Sequence, residues 1–394
     1  MDEGTQLRGL LRAAEAAAPV EALDVVSEDL RRRFGAETVS FLIVDLTGRA
    51  VVRLTTVGSE SGRRAQRIEL FGSIYERVVR TQQLHQEPVA RGQRVIAPVT
   101  NRGDAIGLLE LTLPAGPEEP VLQAVREAAR ALAYIVIANQ RFTDLYTWGK
   151  RTTPLSLPAE IQYRLLPASL ACEATPFTVA CNLEPSANIS GDTFDYTLDR
   201  ETLHLSLTDP MGHDLQAALL ATVLVGALRR ARRAGADIIE QAHQANQALV
   251  DYDRGHATGQ LLRINLRDGR TQFVNAGHPW PLRMRDGQVE EVAIAVDEPF
   301  GLPFPHTYQA QTLDLRPGDR LVMLTDGILE HGAENADLAA ILQASQDLRP
   351  RETALALTTA ALKACGGRLE DDIVVIVLDW HGTHQPTGTS AGPP

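Results

Sequence analysis

The sequence predicts an α+β protein of two domains: a first domain with an antiparallel sheet and flanking helices, and a second built as an αββα sandwich. Three observations carry this expectation. The chain has 394 residues, more than the roughly 250–300 at which a single hydrophobic core stops growing. Near the N-terminus, helical periodicity gives way to paired apolar runs joined by turn residues, without strand–helix–strand alternation. Beyond residue 158, short strands recur with hairpin turns and only a few long helices between them, the pattern of two packed sheets covered by helices.

The first domain opens with helical periodicity over residues 5–17 and 20–34. The apolar run Val39 to Val44, a turn at Gly48 and a second run from Ala50 to Leu54 then read as a hairpin. Val95 to Val99 and Ile106 to Leu113 form another pair, joined by Asn101 to Asp104. From Glu118 to about Tyr146 one helical face carries Val121, Val125, Ala128, Leu132, Ile135 and Val136. Such a stripe either docks on its own sheet or pairs with its copy in a homodimer; the dimer is the expectation adopted. The domains so predicted are 1–146, a Pro/Gly-containing linker at 147–158, a second domain at 159–381 and a disordered tail at 382–394.

In the second domain strands are expected at 178–183, 194–198, 203–208, 260–266, 271–275, 281–285, 289–293, 308–313, 320–324 and 373–378. Asp268-Gly269 and Asp286-Gly287 are hairpin turns between them. Helices are expected at about 215–234, 236–252, 335–346 and 351–364.

Composition narrows the class. Apolar residues at 44% and charged residues at 22% exclude wholesale disorder. A net charge of -12 disfavours a nucleic-acid partner or an anionic membrane surface, which would need a basic face. Arg229, Arg230, Arg232 and Arg233 crowd one helix end, where the expected role is a solvated last turn that offsets the helix dipole. Three cysteines, Cys172, Cys181 and Cys365, make no disulfide framework or metal spacing. The opening MDEGTQLRGL has neither the basic start nor the apolar core of a secretory signal, and the apolar run Ala217 to Leu228 is too short to span a bilayer. A soluble, cytoplasmic protein is expected.

The chemical signal lies in the aspartates. Asp209 follows the alternating Leu203, Leu205 and Leu207; Asp326 follows the strand at 320–324; Asp371 and Asp372 open the strand at 373–378; Asp192 precedes Phe194. Hard carboxylate oxygens with no His or Cys cluster nearby suit Mg²⁺ or Mn²⁺ rather than zinc. Asp and Gly also punctuate strand ends simply as turn formers, and spacing alone does not bring the acids together.

The surrounding words are more specific. Ala159-Glu160-Ile161-Gln162 with Leu165-Leu166-Pro167, Ser190-Gly191-Asp192-Thr193-Phe194-Asp195, Asp209-Pro210-Met211-Gly212-His213, Asn275-Ala276-Gly277-His278-Pro279, Pro299-Phe300-Gly301-Leu302, Gly318-Asp319-Arg320, Thr325-Asp326-Gly327 with Glu330, and Asp371-Asp372-Ile373 occur in that order. Together, over about residues 157–380, they resemble the SpoIIE/RsbU branch of the PPM-type (protein phosphatase 2C-like) serine/threonine phosphatases. The resemblance implies an αββα sandwich holding two Mn²⁺ or Mg²⁺ ions. It implies that Asp209 bridges both ions with help from the Pro210 carbonyl, that Asp192 is a further acid of the metal site, and that Asp326 and Asp371 hold the second ion. Asp209 and Asp192 are thus the expected catalytic residues. The implied reaction is direct attack of water on phosphoserine or phosphothreonine of a partner protein, in this branch often a STAS-domain anti-sigma-factor antagonist.

His213 and His278 stand within these motifs, each open to a packing role or to proton donation. Against the family pattern, Ser190 replaces a glycine, Asp214 stands where glycine usually follows Gly-His, and Val374 replaces a threonine; none removes a carboxylate. Residues 20–140 resemble a GAF domain, chiefly in Phe34-Gly35-Ala36-Glu37 and in Ile96-Ala97-Pro98-Val99 followed by Ile106-Gly107-Leu108-Leu109-Glu110-Leu111. That implies a sensory or dimerising role, with any ligand near the variable 56–92 segment. The competing reading is a pseudophosphatase acting as a signalling scaffold, against which the retained acids weigh.

Overall fold

The computed structural model describes residues 3–57, 66–114, 116–151, 155–186, 190–329 and 332–383. The chain divides into two compact units, residues 1–154 and 155–394.

The first unit begins with α1 (Glu3–Ala16) and α2 (Ala22–Phe34). Gly35, at φ 60°, ends α2 by donating its backbone N–H to the Arg31 carbonyl, a conformation glycine adopts without a Cβ clash. The sheet order is β3-β2-β1-β6-β5-β4, from β1 (Thr38–Val44), β2 (Ala50–Val57), β3 (Gln66–Glu69), β4 (His85–Val89), β5 (Gly92–Asn101) and β6 (Asp104–Leu113). Every pairing is antiparallel. One face carries Phe41, Ile43, Val95, Ala97, Leu109 and Leu111 against α1, α2 and α4 (Glu119–Asn139). On the other face α3 (Ile74–Thr81) covers Leu42, Val51, Ile96 and Leu108. There the buried Glu110 accepts from Arg53 at 2.8 Å and from the Tyr75 hydroxyl at 2.6 Å. Part of the segment expected to be variable is therefore β3, α3 and β4; residues 58–65 of it lie outside the described residues.

Two expectations change here. The helix from Glu118 stops at Asn139, whose side-chain amide turns back to the Ile135 carbonyl, and a separate α5 (Leu145–Lys150) spans the expected boundary between that helix and the linker. The stripe on α4 is buried within its own unit: Val125, Leu132 and Val136 are at most 1% exposed. Docking on its own sheet accounts for the stripe, so it no longer argues for a homodimer.

The second unit opens with α6 (Leu157–Leu165), whose start is set by Ser156 accepting from the Ala159 N–H and by a proline in the first turn. It contains two antiparallel sheets. One has the order β15-β12-β11-β10-β9, from β9 (Thr193–Leu198), β10 (Thr202–Pro210), β11 (Ala257–Asn265), β12 (Thr271–Ala276) and β15 (Gln311–Thr312). The other runs β14-β13-β16-β17-β8-β7, from β7 (Ala171–Ala174), β8 (Phe177–Glu184), β13 (Leu282–Arg285), β14 (Gln288–Glu291), β16 (Arg320–Leu324) and β17 (Ile373–Trp380). Phe194, Leu205, Leu262, Phe273, Met323, Ile376 and Trp380 fill the layer between the sheets. The outer face of the first sheet packs under α7 (Asp214–Arg233) and α8 (Ile238–Tyr252). The outer face of the second packs under α9 (Leu338–Ala344) and α10 (Pro350–Ala364). The expected αββα sandwich is what forms, and both Asp-Gly pairs lie at the hairpins β11–β12 and β13–β14.

One reading of charge is corrected. Arg230 and Arg233 are solvated, but Arg229 grips the buried Asp195 through two bonds of 3.0 and 3.1 Å, and Arg232 adds a third at 3.1 Å. Arg229 also donates to the Leu165 carbonyl, so these side chains tie α7 to β9 and to the end of α6. Since Leu132 is packed on all sides, Leu132→Ala should cost the first unit about 2–5 kcal/mol, read as a lowered urea midpoint for that unit with the transition of the second unit in place.

Candidate metal and phosphoryl-transfer site

Strand register brings the acids to one end of the sandwich. In the first sheet Thr193 pairs with Thr208, so Asp192 and Asp209 stand side by side on neighbouring strand ends. In the second sheet Leu324 pairs with Val375, which puts Asp326 beside the start of β17, where Asp371 and Asp372 lie. Two glycines permit the approach. A Cβ on Gly327 would sit 2.3 Å from the Asp372 carbonyl oxygen. Gly191, at φ 93°, would put one 3.0 Å from the backbone of Ala217.

The two neighbouring acids of β17 divide the work. Asp372 is fully buried and spent on hydrogen bonds: Oδ1 accepts from the Ser186 N–H at 2.8 Å, and Oδ2 from Gln162 Nε2 at 2.6 Å, Ser190 N–H at 3.2 Å and Gly191 N–H at 3.3 Å. Asp371 stays half-buried, with Oδ1 accepting from the Asp372 N–H at 2.7 Å.

Asp192 is the reverse case. It is 1% exposed, and neither of its oxygens has a hydrogen-bond partner of normal geometry. Burial, then the charges of Asp209, Asp372 and Asp371, push its carboxyl well above the usual range, with the Thr325 hydroxyl acting in the opposite direction. Burial, then Asp326 and Asp371, push Asp209 up as well. Once one carboxyl carries a proton, Asp209 is within hydrogen-bond reach of both Asp192 and Asp326. Burial also raises Asp372, against the pull of Ser186, Gln162 and Ser190.

The structure thus brings Asp192, Asp209, Pro210, Asp326 and Asp371 to one place; Glu330 lies outside the described residues. Among the described residues no three such side chains form a ready-made ligand cage. The donor set nevertheless fits a hard divalent cation: carboxylate and carbonyl oxygens, with two buried oxygens on Asp192 lacking a hydrogen-bond partner of normal geometry.

His278 is settled by its contacts. It is buried, its Nε2–H donates to the Leu324 carbonyl at 3.1 Å, and its Nδ1 accepts from the Thr258 hydroxyl at 2.7 Å. Burial lowers it to about 4. A neutral imidazole bonded at both nitrogens braces the end of β16, two residues before Asp326, and its one N–H is committed to the Leu324 carbonyl.

The departures from the family pattern also find their places. Ser190 needs no glycine conformation, and its Oγ accepts from the Asp372 N–H at 3.2 Å. Val374 fills the layer between the sheets. Asp214 adopts the left-handed φ of 64° that a glycine would take freely.

Sequence reasoning missed Gln162. Within the 159–162 motif attention falls on Glu160, yet it is Gln162 that is fully buried and donates from Nε2 to both the Asp192 carbonyl at 2.8 Å and Asp372 Oδ2 at 2.6 Å. The signal available was an amide on the apolar side of a helix, visible only once α6 is known to face the site.

Two outcomes follow from this geometry. Gln162→Ala strips a donor from two buried acceptors and should cost about 1–3 kcal/mol and weaken Mn²⁺ binding about 10–100-fold, by denaturation and by calorimetric titration. The second concerns pH. A carboxyl raised in the folded state destabilises the fold once ionised, so the metal-free protein should gain stability as pH falls from 7 towards the unfolded carboxylate value. Asp209→Asn removes one of the repelling charges and should raise the melting temperature of the metal-free protein at pH 7, by scanning calorimetry.

Residues 199–381, just under half of the chain, match the family model described as Stage II sporulation protein E (SpoIIE). The chain is similar to the phosphoserine phosphatase RsbP of Bacillus subtilis, 26% identical over 152 residues, which are 37% of this chain and 38% of RsbP. It is also similar to the phosphoserine phosphatase RsbU of the same organism, 21% identical over 57% of this chain and 69% of RsbU. The first of these relatives is thus matched over well under half of its length. Among solved structures, the RsbU and RsbW domains of Rv1364c from Mycobacterium tuberculosis share the fold, with a TM-score of 0.50 and 22% identity over 55% of this chain and 63% of that one. Residues 199–381 thus resemble the SpoIIE family model, within a unit whose fold is shared with the RsbU and RsbW domains of Rv1364c.

Proposed function

We propose that the second unit is a divalent-metal-dependent phosphatase acting on phosphoserine or phosphothreonine of a partner protein, under control of the first unit. The observation that carries this reading is the buried Asp192, whose two oxygens lack partners beside Asp209. Uncompensated buried carboxylates are expensive, and a fold keeps them where a cation or a reaction requires them.

In this reading Asp192, Asp209, the Pro210 carbonyl, Asp326 and Asp371 hold two Mn²⁺ or Mg²⁺ ions, which when bound supply an activated water and offset charge on the phosphoryl oxygens. The protein's own contribution is placement. Asp372, held by four donors, fixes the start of β17 and with it Asp371. His278 holds the carbonyl two residues before Asp326. Gln162 holds the carbonyl of Asp192 itself. The phosphoester must enter from the open side, where Asp209, Asp326 and Asp371 keep part of their surface.

The first unit is proposed as a GAF-like regulator and the partner as a STAS-domain protein. Control would run through α6, because a small displacement of that helix withdraws Gln162 from Asp192 and Asp372. A shift of ~1.4 kcal/mol between two such states changes a small active population about tenfold. With the α4 stripe buried, a homodimer of the first unit would rest instead on exposed aromatic side chains such as Tyr134, Phe142 and Trp148. Among the described residues no helix is long and apolar enough to cross a membrane.

The test is phosphate release from a phosphoserine-bearing STAS-domain protein with and without Mn²⁺. Release should require the ion and vanish in Asp209→Asn; ion-independent release, or near-normal turnover by that variant, would sink the reading in favour of a scaffold. A Gly-Ser insertion after Lys150 should change the rate if the first unit governs the second. An unchanged rate would leave the first unit as an assembly module.

A further inference from the structure

The word Asn275-Ala276-Gly277-His278-Pro279 lies where the chain leaves the first sheet of the sandwich at the end of β12 and enters the second at β13. Three side-chain bonds lock it there. The buried Asn275 accepts the His278 N–H at 2.8 Å and donates to the His278 carbonyl at 2.9 Å, while the buried Gln260 donates to the Pro279 carbonyl. A residue clamped at both its N–H and its carbonyl has its side chain aimed in one direction.

That direction is across the sandwich. His278 Nδ1 accepts from Thr258 on β11, in the first sheet, and Nε2–H donates to the Leu324 carbonyl at the end of β16, in the second. Both ends of this span adjoin acids of the site. Thr258 stands directly opposite Asp209 in the β10–β11 register, where facing Cβ atoms are about 4.5–5.5 Å apart. Leu324 precedes Asp326 by two residues. Deeper in the layer Leu207, Leu262 and Met323 meet through contacts without direction, which fix a separation less sharply than a pair of hydrogen bonds on a rigid ring. The Asp372 cluster ties β17 to the segment before β9, on one side of β10, and His278 ties β16 to β11, on the other.

We propose that His278 is a positioning residue whose two bonds hold Asp209 and Asp326 at the separation that the second of two divalent ions requires. The proposal rests on the metal reading above. Asp192, Asp209 and Pro210 belong to the first sheet and its approach, whereas Asp326 and Asp371 belong to the second. An ion on the first group alone is indifferent to the gap between sheets. An ion shared by Asp209 and Asp326 is not, because a binding constellation has to be held within about 0.5 Å of its working geometry. Cutting the span at either end therefore weakens one ion and spares the other.

Asparagine and glutamine divide the two functions of the imidazole. The amide of His278→Asn reaches only as far as Nδ1 does and that of His278→Gln replaces only Nε2–H, so neither joins both partners. Thr258→Val cuts the span at its other end and leaves the imidazole in place, while Thr258→Ser keeps the hydroxyl. In the full chain titrated with Mn²⁺, with the free ion counted by electron paramagnetic resonance, the parent should take up two ions, the second bringing the exchange-coupled spectrum of a close pair. His278→Asn, His278→Gln and Thr258→Val should keep the first ion at the parental affinity and bind the second about 10–100-fold more weakly. Their coupled spectrum should be missing at Mn²⁺ levels that saturate the parent, and Thr258→Ser should restore it.

A side chain that merely supports the fold would lower the melting temperature without separating the two ions. Parental binding of both ions by Thr258→Val, or equal weakening of both, overturns the proposal. A parent that binds fewer than two Mn²⁺ ions overturns the two-ion reading itself and this proposal with it.

Discussion

The interaction on which the site depends is the buried carboxylate of Asp372. It collects donors from α6 through Gln162 and from the segment before β9 through Ser186, Ser190 and Gly191, while its own residue opens β17. Three stretches of chain distant in sequence are thereby fixed to one another at the end of the sandwich. Hydrogen bonds to an ionised acceptor are among the stronger ones, and removing any donor leaves the charge buried and less compensated.

Around this satisfied acid stand acids that are not satisfied. Asp192 and Asp209 are raised by burial and by each other's neighbours, which means the fold holds negative charge where water would screen it better. Nothing in the packing of the two sheets requires it, because the layer between them is filled by Phe194, Leu205, Phe273 and Ile376 without help from these side chains. The proposed activity and stability are therefore opposed at this end of the molecule, as is common where function needs charge that packing does not.

Much of this was legible in the sequence, for identifiable reasons. Strands alternating like Leu203, Leu205 and Leu207, and turns such as Asp286-Gly287, are fixed by local chemistry and emerged as β10 and a hairpin. The acids stood at strand ends because strand ends are where a sandwich exposes loops. What stayed hidden depends on long-range placement. Gln162 meets Asp372 across 210 positions of sequence, and no local pattern distinguishes it from any other helical amide. Arg229 and Arg232 read as a solvated cluster because Asp195, 34 residues before Arg229, gives no local sign that it will be their partner. The α4 stripe has the same periodicity whether it docks at home or on a copy, so only the fold decides. The early end of that helix turned on one Asn side chain competing for a backbone carbonyl.

The central claim is that these acids exist to hold divalent cations at the open end of the sandwich. The most direct measurement is anomalous X-ray scattering at the manganese edge from crystals grown with Mn²⁺. The account requires two manganese peaks bounded by Asp192, Asp209, Asp326 and Asp371. Manganese absent from that end of the sandwich, or bound only at other acids, would contradict it.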